Sequence, residues 1–398
     1  MANTKGKRGT ISFTTWLRGL GPLALLAALV WTFFSYGPLG IFIAAFPPLE
    51  ELSIQRIILP AAGEIQVEVV NGGPDPVTVS QVLVDEAYWS HSVTPSRTIH
   101  RLGQATITIH YPWVDGETHE IMLITESGVT FNGEIAVATL SPTPNITYLG
   151  TFALLGLYVG VIPVGIGLLW YPFVRRIKRR WTDFLLASTI GLLLFLGVDT
   201  VAEAMDIATE KLPDAFQGLT LIATGVLGTF LGLGAFGKWA SANSNSDNRS
   251  RLVLSYLIAL GIGMHNLGEG LAIGAAYAVG EIAVGGFLVL GFMLHNTTEG
   301  LAILAPISRD RPLLSHLVAL GAIAGGPTIV GTWIGGFTYS PLWATLFLSV
   351  GAGAIFQVIY EICKLIQRQR DGIMGILNAT GLITGMVIMY VTGLLVAL

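Results

Sequence analysis

Two six-residue stretches, His265-Asn266-Leu267-Gly268-Glu269-Gly270 and His295-Asn296-Thr297-Thr298-Glu299-Gly300, repeat the same chemistry inside long apolar runs. In each, a histidine and a glutamate stand at i and i+4, which on a helix brings both side chains to one face about a turn apart. Two imidazoles and two carboxylates supply four N/O ligands, enough for a tetrahedral divalent cation, and the carboxylate charges balance those of the ion. That balance removes most of the penalty for holding a metal ion in low dielectric. Zinc leads on ligand type, with Fe²⁺ and Mn²⁺ also suited to nitrogen and oxygen donors. Asn266 and Asn296 offer carbonyl oxygens about 100° round each helix, toward an adjoining, weaker site. Polar packing between helices would explain one such cluster, but ionisable groups at membrane depth are costly, and two identical clusters point to a cation site.

Other acids and a histidine extend the pattern. Asp199 and Glu203 share a helix face at i, i+4 near the outer end of their apolar run. Glu361 and His316 lie near the inner ends of two others. Together they trace an outer entrance, a central site and an inner exit.

The elements that must position these residues are membrane helices. The chain of 398 residues is 52% hydrophobic and 12% charged, with a mean hydropathy of +0.68, a composition of polytopic membrane proteins rather than soluble enzymes. Since about 20 apolar residues cross the hydrocarbon core, nine spans are expected: 20–46, 146–171, 182–205, 215–237, 252–278, 281–304, 313–337, 341–363 and 373–397. Of the 21 Lys and Arg residues, only Arg56, Arg97, Arg101 and Lys211 fall outside if the N-terminus is cytoplasmic, which orients the chain with its C-terminus outside. The first span follows Lys5, Lys7 and Arg8 and is longer than a signal h-region, so a retained signal anchor is expected. The lone Cys363 excludes an intrachain disulfide, a Cys-based zinc site and a blue-copper site. The expected setting is the plasma or inner membrane, with the lipid bilayer and metal ions as partners and no nucleic acid. Gly331 to Gly335 forms a small-residue surface that can pack within the chain or against a second copy, so a homodimer is one expected assembly.

Residues 52 to about 141 differ in kind. Ile65-Gln66-Val67-Glu68-Val69 and Ala105-Thr106-Ile107-Thr108-Ile109-His110 alternate with period two between turn signals such as Asn71-Gly72-Gly73-Pro74. A small antiparallel β-sandwich outside the membrane is predicted. It carries 12 acidic residues from Glu50 to Glu134 against three basic ones, a balance that suits a solvated surface and could also concentrate cations. His91, His100, His110 and His119 also lie in it, at spacings that match no zinc pattern. The domain organisation expected is therefore a cytoplasmic tail and anchor over 1–51, an extracytoplasmic β-domain and linker over 52–145, and an eight-span domain over 146–398. Ser241 to Ser250 is expected as a flexible cytoplasmic loop.

The paired motifs resemble those of the ZIP (Zrt/Irt-like) family of divalent metal transporters, whose fourth and fifth spans carry His-Asn-x-Pro-Glu-Gly. The resemblance covers residues 146–398 and implies an eight-helix transporter bundle, preceded here by one extra transmembrane helix and the β-sandwich. It implies that His265, Glu269, His295 and Glu299 are primary metal ligands, that Asn266 and Asn296 belong to an adjoining second site, and that Glu361 matches an acid near the end of the seventh family span. The implied activity is metal movement into the cytoplasm by one helix bundle sliding against another. The sequence departs from the pattern at Gly268 and Thr298, where the family has proline, and at Gly326, where it often has a glutamate before Pro327. The histidine-rich cytoplasmic loop common in the family is absent, and residues 1–145 match no usual member. A membrane metal sensor and an integral-membrane metallohydrolase are the alternatives; the second is disfavoured by the lack of HExxH and of an open coordination position.

Overall fold

Long apolar runs form helices and alternating runs form strands, as their hydrophobic periods require. The structure, a computed structural model, describes residues 13–36, 49–242, 247–280, 282–367 and 372–396. By its internal contacts the chain divides into Met1–Leu49 and Glu50–Leu398. The first unit contains helix α1 (Phe13–Tyr36).

In the second unit, Asn145 begins α2 (Ile146–Gly156) by accepting a hydrogen bond on its side chain from the Tyr148 N–H at 2.9 Å. A π-helical turn, Leu157–Val161, separates α2 from α3 (Ile162–Leu169), and the short α4 (Tyr171–Val174) follows. Then come α5 (Arg179–Lys211), α6 (Gly218–Ala242), α7 (Asp247–Ala278) and α8 (Ile282–Leu304). The last are α9 (Leu314–Gly325), α10 (Pro327–Thr338), α11 (Pro341–Gln367) and α12 (Ile376–Val396). Among the described residues, seven stretches are long and apolar enough to cross a membrane: Ile146–Val174, Arg179–Lys211, Asp214–Trp239, Arg249–Ala278, Leu314–Thr338, Pro341–Gln367 and Ile376–Leu394. The protein is therefore a polytopic helical integral membrane protein with a small β region. Two shorter apolar stretches, Leu20–Thr32 and Leu288–Leu304, fall in the other two expected spans. The end of the expected span 20–46 lies outside the described residues.

Two of the expected continuous spans are interrupted. Pro163 has no N–H to give the Val159 carbonyl, and the helix there widens into the π turn. Pro327 does the same to Ile323, and α9 gives way to α10 at Gly326. The polar run Ser241 to Ser250 is also less of a loop than expected, because α6 continues to Ala242 and α7 starts at Asp247; residues 243–246 lie outside the described residues.

Helices α7 and α10 approach through reciprocal small-xxx-small pairs, Gly270/Gly274 against Gly331/Gly335. A Cβ at Gly331 would overlap the Leu267 carbonyl, and one at Gly335 the Leu271 carbonyl. The Gly331 to Gly335 surface thus packs within the chain. Leu193, Ile258, Ile262, Ile303, Leu304 and Ile355 form the centre of the helical core.

The β region has nine strands: β1 (Leu52–Ala61), β2 (Glu64–Asn71), β3 (Val77–Val84), β4 (Ala87–Trp89), β5 (His91–Thr94), β6 (Thr98–Ile99), β7 (Gln104–His110), β8 (His119–Thr125) and β9 (Thr130–Ile135). One antiparallel sheet has the order β1-β2-β7-β5 and the other β4-β3-β8-β9, with β6 pairing β3. Val67 pairs with Ile107, and these residues join Val82, Val84, Ile121 and Leu123 of the other sheet in one buried core. Of the four histidines here, only His119 is buried, its Nδ1 2.8 Å from Asp85 Oδ2. Burial raises the Asp85 carboxyl, but hydrogen bonds from the Tyr111 hydroxyl, the Glu120 N–H and His119 outweigh it and hold Asp85 below the usual carboxylate range. The same hydrogen bond, with lesser help from burial, pushes the Tyr111 phenol up to about 12. Among the described residues these histidines take part in no group of three metal-capable side chains. The β region rests on one end of the bundle: Arg56 Nη1 donates to the Phe337 carbonyl at 2.7 Å, Ser53 Oγ to the Lys211 carbonyl at 2.8 Å, and the Asp214 N–H to Glu51 Oε1 at 2.8 Å.

Candidate metal centre

Helices α7 and α8 run through the two motifs unbroken, and Gly280, just past the end of α7, has a positive φ of 79°. His265, Asn266, Glu269, His295, Asn296 and Glu299 are all buried. Ligand atoms of His265, His295 and Glu299 lie within 4.8 Å of one another. Glu269 stands between the imidazoles, with Oε1 3.0 Å from His265 Nε2 and in a short contact with His295 Nε2. The i, i+4 spacing makes the first of these contacts, and the pairing of α7 with α8 makes the second.

Each motif asparagine is anchored by a backbone carbonyl beside a break in a neighbouring helix. Asn296 Nδ2 donates to the Val159 carbonyl at 3.0 Å, the group deprived of a helical donor by Pro163. Asn266 Nδ2 donates to the Ala324 carbonyl at 3.1 Å, in the last turn of α9 before the break at Pro327. The final glycine of each motif packs on the residue after the same proline: Gly270 against the Thr328 carbonyl, Gly300 against that of Val164. The two halves of the site are therefore built alike, each beside a helix interrupted at a proline. The motif threonines bond their own helix, Thr297 Oγ1 to the Met293 carbonyl at 3.0 Å and Thr298 Oγ1 to that of His295 at 2.6 Å.

The polar inventory of the site is lopsided. Asn296 Nδ2 also donates to Glu269 Oε2 at 3.0 Å. Among the described residues, both Glu299 oxygens, Asn266 Oδ1 and Asn296 Oδ1 are buried with no hydrogen-bond partner. Buried polar atoms are normally paired, and here the unpaired ones are all oxygen acceptors. A cation satisfies such a set; another apolar or acceptor group does not.

Thr200 of α5 is a residue that sequence reasoning missed. Its Oγ1 donates to the Leu196 carbonyl at 2.8 Å and lies 3.2 Å from His265 Nδ1. Because the hydroxyl hydrogen is engaged, the oxygen accepts from Nδ1–H, which leaves the Nε2 lone pair as the ligand atom. Thr200→Val is expected to weaken zinc binding about tenfold, as loss of an outer hydrogen-bond partner of a ligand does, and Thr200→Ser to restore it; calorimetric titration of the purified protein checks both. No signal in the sequence ties Thr200 to a histidine 65 residues away. The prolines at 163 and 327 were visible, but not that the motif asparagines would bond carbonyls next to the breaks they cause.

The flanking acids sit differently from the sequence expectation. Helix α5 has 33 residues, about 50 Å at 1.5 Å per residue, so Asp199 and Glu203 lie beside the centre rather than at its outer end. Asp199 is within electrostatic range of His295 and Glu203 of His265. Both acids are exposed. Glu361 is half-buried and paired with Lys364 Nζ at 3.0 Å. His316 Nδ1 is 2.8 Å from the Tyr256 hydroxyl. Compared with known proteins, the chain matches no family model and no curated protein.

Proposed function

We propose that the protein carries divalent metal ions across the membrane into the cytoplasm, with zinc the best match to the donors and iron or manganese also accepted. The observation that carries this reading is the buried set of unpartnered oxygens, from Glu299, Asn266 and Asn296, beside two histidines and a second carboxylate. His265, Glu269, His295 and Glu299 would hold the ion as cargo, and the asparagine oxygens would complete or adjoin the site. Asp199 and Glu203, exposed beside it, would form the approach, and Glu361 would stand toward the exit.

The likeness of the paired motifs to those of ZIP transporters supports this assignment. On it, residues 146–398 form an eight-span transport bundle, the first helix is an extra anchor, and the β-domain and C-terminus face outward from a plasma or inner membrane. Gly326 leaves the adjoining position without a carboxylate, which favours one strongly held ion per chain.

The decisive experiment is uptake of radiolabelled Zn²⁺ into liposomes containing the purified protein, beside the double change Glu269→Ala and Glu299→Ala. Zinc-dependent uptake in the wild type and its loss in the double variant are expected. Stoichiometric binding without uptake under several pH and voltage gradients, in vesicles of verified orientation, would sink transport and leave a sensor.

A further inference from the structure

Helix α11 passes beside the metal centre and continues beyond it. At Gly351 it comes against the backbone of α7 at Met264 and His265, and further on its Ala354 and Val358 lie against Gly261 of α7. The two helices are thus antiparallel. Because the other end of α7 meets the β region, through Gly280 against Val137 and Thr139, α11 leads from the centre away from that region. Ala354, Gln357, Val358 and Glu361 follow the i, i+3, i+4, i+7 spacing of one helix face, so Gln357 belongs to the side of α11 turned toward α7. It stands about 9 Å along the helix from Gly351 and about 6 Å before Glu361, at about 1.5 Å per residue.

Gln357 is 1% exposed, and among the described residues neither its amide oxygen nor its amide nitrogen has a hydrogen-bond partner. An unpaired amide is costly in an apolar setting, and Ile355, Val358 and Ile362 of the same helix belong to the core. A leucine would pack there without that cost. Buried polar groups are normally paired, so a side chain unpartnered at both ends calls for a role. The central site leaves only acceptors unpaired, as suits a bare cation. Gln357 leaves a donor and an acceptor, and water pairs with both. A cation regaining its water on leaving the centre needs the same mixture, with the amide oxygen toward the charge. A neutral carbonyl also holds a divalent ion more weakly than a carboxylate does, which lets the ion move on.

We propose that Gln357 is a cargo-binding residue of the exit route, its amide oxygen coordinating the partly hydrated divalent ion between the central site and Glu361, a role that rests on the protein being a transporter.

Uptake of radiolabelled Zn²⁺ into liposomes containing the full-length protein tests it, with Gln357→Leu and Gln357→Met beside the wild type. The rate at saturating zinc should fall about tenfold in both variants, the effect of one polar contact on a barrier. Equilibrium zinc binding, measured by calorimetry, should stay within about twofold of the wild type, because the four central ligands are untouched. The melting temperature should not fall, because an unpaired amide has been removed. A variant that melts like the wild type and transports at its rate would overturn the proposal. Slow transport accompanied in both variants by lower melting temperatures or weaker zinc binding would overturn it too, by making Gln357 a packing residue. A wild type that takes up no zinc would sink the transport reading itself, whereas wild-type uptake with unimpaired variants sinks only the role of Gln357.

Discussion

Glu299→Gln and Glu269→Gln are expected to part company. Both should weaken zinc binding by about a hundredfold or more, since removing one partner from a buried set of charges costs about 3–5 kcal/mol. Their effects on the metal-free protein should differ in direction. The Glu299 carboxylate has no hydrogen-bond partner among the described residues, so a neutral amide of the same shape relieves an unsatisfied buried group, and the variant should melt no lower than the wild type. Glu269 accepts from or faces His265, His295 and Asn296 at once. If its amide oxygen faces the imidazoles, its NH2 opposes the Asn296 NH2, which now donates to Glu269 Oε2, and the variant should melt several degrees lower. Thermal melts with and without zinc read both predictions. Equal melting shifts for the two variants would contradict the orphaned-acceptor account of the site, and unchanged zinc affinity in Glu299→Gln would place the ion elsewhere. Because zinc must displace any proton on His265 and His295, wild-type binding should also weaken as the pH falls.

Gly335→Val should be among the most damaging single changes in the helical domain. A Cβ there falls on the Leu271 carbonyl and near the Ala275 N–H, backbone atoms that cannot turn aside. Helices α7 and α10 would have to separate, losing packing along the reciprocal glycine pairs, and the expected destabilisation exceeds about 3 kcal/mol. Separation would also move Ala324 and Thr328 away from Asn266 and Gly270, so zinc binding should fall with stability. Gly165→Ala is the matched control, since nothing stands within 4 Å of the added carbon. The yield of monodisperse protein and its melting temperature should drop sharply for the first and stay near wild type for the second. If both behave alike, the close α7–α10 contact is not what holds this half of the bundle.

Much of the fold and part of the site follow from local pattern. Apolar runs long enough for a bilayer make helices because backbone groups in lipid must be satisfied within their own segment. Alternation in Ile65 to Val69 and Ala105 to Ile109 makes strands with one buried face, because successive side chains point to opposite sides. The pairs His265/Glu269 and His295/Glu299 were legible for the same reason: i, i+4 spacing is a property of one helix.

What the sequence alone could not determine is everything that depends on which helix lies beside which. The register of α7 against α8 puts the Glu269 carboxylate, rather than that of Glu299, between the two imidazoles. The neighbourhood of α5 brings Thr200 to His265 and draws Asp199 and Glu203 toward the centre. Packing of the π turn before α3 and of the end of α9 beside the motifs provides the carbonyls that anchor Asn296 and Asn266, and the packing of α9 on α7 sets His316 beside Tyr256. A helix sequence specifies its faces through a fixed period, but the partner of each face is chosen by close packing among many helices, a competition decided only by the whole bundle.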